Sequence, residues 1–148
     1  MANKAKSSGT RFESALVKYL RESLEDERPE RLALHGSKDF GDIGHVYAHG
    51  FEGVIEAKSH KKVTPGLIEE WRRQTLDERE NSDSDFALLV VNKYNSAMGQ
   101  SQVHVTIRDL ARICLGMRVA TTPNLSELYD GSWVVMSLDE AIYLMRGV

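Results

Sequence analysis

The spacing of apolar residues divides the chain into alternating helical and extended segments. From Thr10 onward, Phe12, Leu16, Tyr19, Leu20 and Leu24 recur at three- and four-residue intervals, which predicts an amphipathic helix. Thr10 and Glu13 have capping-box spacing and mark its start, and the charged run Glu25 to Arg31 ends it around Pro29. Residues 1–9, small and polar, are expected to form a mobile basic arm. A glycine-punctuated loop, His35 to Gly41, leads to two strand-like runs, Asp42 to Tyr47 and Phe51 to Lys58, which flank Ala48-His49-Gly50 and predict a hairpin. Thr64-Pro65, a cap followed by proline in the first turn, starts a second helix that buries Leu67, Ile68, Trp71, Thr75 and Leu76.

The second half continues the alternation. Phe86 to Val91 is wholly apolar, the pattern of a strand covered on both faces. Gln102 to Thr106 predicts another strand. Thr106 and Asp109 cap a helix ending at Gly116, with Ile107, Leu110, Ala111 and Cys114 as its packed face. Trp133 to Met136 predicts a last strand, and Ser137 with Glu140 opens a final helix to Arg146. The order α-β-β-α-β-β-α-β-α is that of one α/β domain with a mixed central sheet, over residues 10–148.

Composition narrows the classes of function. The chain has 148 residues, and no apolar run approaches the roughly 18 of a membrane span, so neither a membrane partner nor export is expected. The single Cys114 excludes an internal disulfide framework, and His35, His45, His49, His60 and His104 do not combine with it at zinc-ligand spacing. Gly36, Gly41 and Gly44 stand in the wrong frame for a phosphate-cradling loop, so no nucleotide cofactor is expected. A formal net charge of −3 speaks, by itself, against a polyanion partner. The charge is unevenly spread: residues 1–75 hold 13 Lys/Arg against 12 Asp/Glu, and residues 76–148 hold 6 against 10. The acidic stretch Asp77 to Asp85 reads as a solvated helix end and loop, whereas Lys4, Lys6, Arg11, Lys58, Lys61, Lys62, Arg72 and Arg73 supply local positive charge.

One group of residues carries chemistry. With the hairpin turn centred on His49, Asp42 falls opposite Glu56, on the same sheet face, and Lys58 shares that face by strand alternation. A shift of the turn by one residue would undo this pairing. Two adjacent carboxylates repel unless a proton or a cation lies between them, and hard divalent cations favour such oxygens. Metal, water and an amine fit phosphodiester hydrolysis. A cross-strand salt-bridged pair on a solvated sheet face is the alternative.

Glu13, Gly41-Asp42-Ile43 and Ile55-Glu56-Ala57-Lys58, in that order, resemble the PD-(D/E)XK nuclease superfamily. Gly9-Thr10-x-Phe12-Glu13, Glu30-Arg31-x-Ala33-Leu34-His35-Gly36 and Lys38-Asp39-x-Gly41-Asp42-Ile43 are similar to archaeal-type and phage-encoded Holliday junction resolvases. The resemblance spans residues 9–93 and implies a restriction-endonuclease-like αβββαβ core, with residues 94–148 as a C-terminal extension lacking any mapped motif. It implies a Mg²⁺-dependent endonuclease, with Mn²⁺ as substitute, acting on four-way DNA junctions as a two-fold homodimer in a host cytoplasm. Flap, nicking or restriction-type nucleases, and a non-catalytic DNA-binding module with a relic site, are the alternatives.

By the same resemblance Asp42, Glu56 and the Ala57 carbonyl are metal ligands, joined by Glu13 from the first helix, and Lys58 positions or activates the attacking water. A capping role would also account for Glu13. Ser37 matches a position that contacts the substrate backbone, with a plain turn as the alternative. Arg11, Lys38, His60, Lys61 and Lys62 are candidate phosphate contacts. Gln74 matches a glutamine that reaches toward the active site in related nucleases, although the tyrosine that accompanies it elsewhere is here Glu78. Trp71 reads as core.

Overall fold

A computed structural model describes residues 2–34, 36–115 and 130–147. Helix α1 covers Ala2–Leu24, strands β1 Glu30–Arg31, β2 Ile43–Ala48 and β3 Phe51–Lys58, helix α2 Pro65–Asn81, and strand β4 Phe86–Val91. A 3-10 turn at Met98–Gln100 precedes β5 Gln102–Thr106, α3 Ile107–Leu115, β6 Trp133–Ser137 and α4 Leu138–Arg146. The first six elements run α-β-β-β-α-β, and β1 is a two-residue strand that apolar patterning does not register.

The six strands form one mixed sheet in sequence order. Only β3 and β4 are parallel, joined by α2 as a crossover, and Glu56 and Lys58 lie beside Leu89 and Val91. Strand alternation then sorts the two faces. Ile55, Ala57, Leu88, Val90, Val103 and Val105 point to the larger core, which α1 covers with Phe12, Leu16, Val17 and Leu20, and α4 with Ala141, Ile142 and Met145. Leu89 and Val91 point to the opposite face and pack on Trp71 of α2, with Leu67 and Ile68 at the margin. Glu56 and Lys58 belong to that second face, under α2. Every residue of β4 is buried, as its apolar run predicts.

The helix signals are used as written at three of four starts. The Thr64 hydroxyl accepts the Leu67 N–H at 3.2 Å, the Thr106 hydroxyl accepts the Asp109 N–H at 3.2 Å, and Ser137 and Glu140 form a reciprocal capping box. The start expected at Thr10 is corrected. The backbone is helical from Ala2, so Thr10 and Glu13 lie inside the helix rather than at its start. The side chains of Lys4 and Lys6, His35, and the expected helix end at Gly116 lie outside the described residues. The packed face of α3 is also corrected. Leu110 packs against the core as expected, but Ile107 is exposed, and the fully buried residues are Ile113 and Asp109, the latter ion-paired to Arg79.

No helix among the described residues is long and apolar enough to cross a membrane.

Candidate metal and nuclease site

The hairpin reaches the expected pairing by a different route. Its turn is the two-residue pair His49-Gly50, with φ of 52° and 82°, so Ala48 pairs with Phe51 and Tyr47 with Glu52. Uninterrupted, that register would displace Asp42 from Glu56. A β-bulge between Ile43 and Val46, where His45 takes φ of 58°, places one extra residue in β2, and Ile43 then pairs with Ile55. The turn expected at His49 alone is therefore corrected by one residue, and the bulge cancels the shift.

Beyond the bulge the chain fastens Asp42 firmly. Its N–H donates to the Ile55 carbonyl at 3.0 Å, its carbonyl accepts the Leu32 N–H at 2.8 Å, and its Oδ2 accepts the Ala57 N–H at 2.9 Å. Gly41, at φ of 100°, makes the approach, and a Cβ there would come within 2.3 Å of a Val54 methyl carbon. Glu56 is 3% exposed, and its Oε1 accepts from the Lys58 ammonium at 2.9 Å while Oε2 has no partner. Burial, and then repulsion from Glu56 and Glu13, push the Asp42 carboxyl up to about 8, against the opposing Ala57 hydrogen bond. Burial works against the charge on Lys58, but Glu56 and Asp42 outweigh it and raise the amine above its ordinary value, so it stands as an ammonium.

Glu13 is held by an ion pair that sequence reading missed. Arg31 of β1 donates to its Oε2 through Nε at 3.1 Å and Nη2 at 3.0 Å. Because the residue sits inside α1, the capping role is removed, and its charge is felt by Asp42.

The larger omission is Glu78. Expected on a solvated helix end, it is 1% exposed, with no donor to either oxygen. Asp39, Glu56 and Glu78 each offer a carboxylate oxygen within 4.8 Å of the others. Burial, then the close Glu56 side chain and repulsion from Glu56, Asp39 and Asp42, push the Glu78 carboxyl up to about 11. A signal for it existed: Trp71, Thr75 and Glu78 follow at steps of four and three, the period of a buried helical stripe. Gln74, expected to reach toward the site, donates to Asp39, from Nε2 to Oδ2 at 3.5 Å. Asp39 Oδ1 accepts the Gly41 N–H at 2.9 Å, and Asn81 holds the Asp39 carbonyl at 3.0 Å.

Arg11, Ser37, Lys38, His60, Lys61 and Lys62 are exposed. His60 packs its ring 5.0 Å from that of Trp71, which is buried as expected of a core residue. Arg72 is committed elsewhere: it donates to His104 Nδ1 at 2.9 Å and lies 5.2 Å from the Trp133 ring centroid. Burial, and then Arg72, lower His104 to about 4 and keep it neutral.

This face therefore gathers carboxylates from the loop before β2, β3 and α2 around one lysine, and Glu13 of α1 acts on it through its charge on Asp42. The chain is similar to an archaeal Holliday junction resolvase. The structure of Hjc from Archaeoglobus fulgidus matches over 90% of this chain and 99% of its own, with a TM-score of 0.49 and 16% identity. No family model and no curated protein sequence matches the chain. The chemistry has to be read from the side chains themselves.

Proposed function

We propose that this chain is a divalent-cation-dependent endonuclease that hydrolyses DNA phosphodiesters, with the four-way junction as its substrate. The observation that carries the reading is the bulge-corrected hairpin, which sets Asp42 beside Glu56 and Lys58 under α2. Such a set is self-repelling without a counter-ion, as the raised Asp42 carboxyl reflects, and its donors are all hard oxygens. That fits Mg²⁺, with Mn²⁺ as substitute, held by Asp42, Glu56, the Ala57 carbonyl and Glu13. When bound, such an ion polarises a phosphoryl oxygen and lowers the pKa of a coordinated water.

The chain's own groups have separable tasks in this reading. The Ala57 N–H orients Asp42, and Arg31 orients Glu13. Lys58, charged and anchored on Glu56, offers its remaining protons to the water or to a phosphate oxygen of the scissile group. Its charged state favours orientation and charge stabilisation over proton abstraction. Arg11, Ser37, Lys38, His60, Lys61 and Lys62, all exposed, are the donors for the phosphate backbone in this reading, with Gln74 acting through Asp39. Contacts of this kind read DNA shape rather than base sequence. Symmetric cutting of a junction calls for a two-fold homodimer.

The order of motifs supports the junction as substrate, and a direct comparison tests it. Purified protein with Mg²⁺ is incubated with a synthetic four-way junction, a flap, linear duplex and single strand, with Asp42→Ala and Lys58→Ala as controls. Paired symmetric cuts in the junction, lost in both variants, are expected. Preference for duplex ends or a flap refutes junction resolution, and salt-sensitive binding without cleavage refutes the enzyme.

A further inference from the structure

The reading above uses Asp42, Glu56 and Glu13, gives Asp39 only the link to Gln74 and leaves Glu78 without a task. Acidic residues gather on many surfaces without a ligand, but this group has a property that surface clusters lack. Glu78 is 1% exposed, presents an oxygen within 4.8 Å of both Glu56 and Asp39, and receives no hydrogen bond at either oxygen. Glu56 Oε2 is likewise buried and unpartnered. Unpartnered carboxylate oxygens this close together are costly to bury unless something positive joins them.

The nearby cations do not bond to the unpartnered oxygens. Arg79, the next residue on α2, is drawn to Asp109 at 3.0 Å and Asp130 at 2.7 Å. Lys58 is held on Glu56 Oε1. The surrounding chain is nonetheless built to keep the three acids together. Gln74 and Asn81 tie the Asp39 loop to α2, and Gly41 lets the loop backbone close over Glu78, where a Cβ would stand 3.5 Å from Oε2.

We propose that Asp39, Glu56 and Glu78 form a second divalent-cation site, distinct from the one at Asp42. Three carboxylates without sulfur or imidazole select a hard ion such as Mg²⁺ or Mn²⁺. Cation binding by this trio stands on its own; that Glu56 is shared between two sites rests on the nuclease reading. Two ions served by a common carboxylate would confine both to the same end of β3, beneath α2.

Counting bound ions tests this without reference to cleavage. Mn²⁺ alone is titrated into the full chain, and free ion is followed by electron paramagnetic resonance. Two ions per chain are expected for the unsubstituted protein. One should remain in Glu78→Gln and in Asp39→Asn, and the other alone in Asp42→Asn. One ion in the unsubstituted protein, or two retained in Glu78→Gln, overturns the proposal. If Glu78→Gln does not fold, by circular dichroism, Asp39→Asn in the loop decides alone, and two ions retained there are equally fatal. The two readings fail separately. Two ions without DNA cleavage would leave the second site standing and remove the nuclease, whereas cleavage with one ion would do the reverse.

Discussion

Replacing Glu78 by glutamine should make the metal-free protein more stable, increasingly so as the pH rises. The side chain is buried, and its carboxyl is raised from 4.5 to about 11. A carboxyl raised in the folded state contributes stability that is complete below pH 4.5 and is lost as pH climbs toward the folded value, because the folded chain retains a proton that the unfolded chain releases. At pH 8 the accumulated cost is about 5 kcal/mol, at roughly 1.4 kcal/mol per pH unit. That is a large share of a typical folding free energy of about 5–15 kcal/mol. Glutamine keeps the shape and does not titrate. Urea unfolding followed by circular dichroism in EDTA at pH 5, 6.5 and 8 measures the difference, and its slope cancels any fixed penalty for the buried amide. The advantage of Glu78→Gln should grow by about 1.4 kcal/mol per pH unit. A difference that stays flat from pH 5 to 8 refutes the reasoning, since it would mean that Glu78 is ionised in both states. Saturating Mn²⁺ should shrink the advantage, because a bound cation replaces the proton.

Other consequences follow from the same contacts. Asp42, raised to about 8, gives Asp42→Asn the same sign of effect, with its advantage levelling off above pH 8, which the same unfolding series reads. Lys58→Ala should reduce junction cleavage by about 100-fold or more while leaving Mn²⁺ affinity equal or higher, since it removes a positive charge beside Glu56; cleavage and titration together check this, and unchanged cleavage contradicts the assignment. Asp109→Ala leaves Arg79 and the Ala87 N–H without their buried acceptor and should cost about 3–5 kcal/mol, seen as a lower urea midpoint. Thr64→Ala removes the cap of α2 and should cost about 1 kcal/mol by the same measurement.

Much of this protein is legible in the linear chain because the signals are local. Thr64-Pro65 starts α2 where the hydroxyl meets the Leu67 N–H, Ser137 and Glu140 start α4, and the apolar run at Phe86 becomes a strand covered on both faces. The Asp42, Glu56 and Lys58 constellation is also visible in sequence, since alternation along β3 places Glu56 and Lys58 on one face whatever surrounds them. What failed locally is equally instructive. The Thr10–Glu13 spacing satisfies a capping box, but the helix passes through it, because intrahelical bonds from Ala2 onward already occupy the backbone groups that a cap would serve.

The tertiary structure decided the rest, wherever a residue's environment comes from distant segments. Asp42 meets Glu56 because a bulge at His45 cancels a one-residue offset in the turn, and a strand pattern does not encode that cancellation. Glu78 belongs to a run of acids that reads as solvated. Its burial depends on α2 lying across β3 and on the Asp39 loop closing over it, neither of which hydropathy records. The sequence by itself therefore determined the longer helices and strands and the shared sheet face of Glu56 and Lys58. Long-range packing determined how many carboxylates share one buried volume, because repulsion and desolvation act through space rather than along the chain.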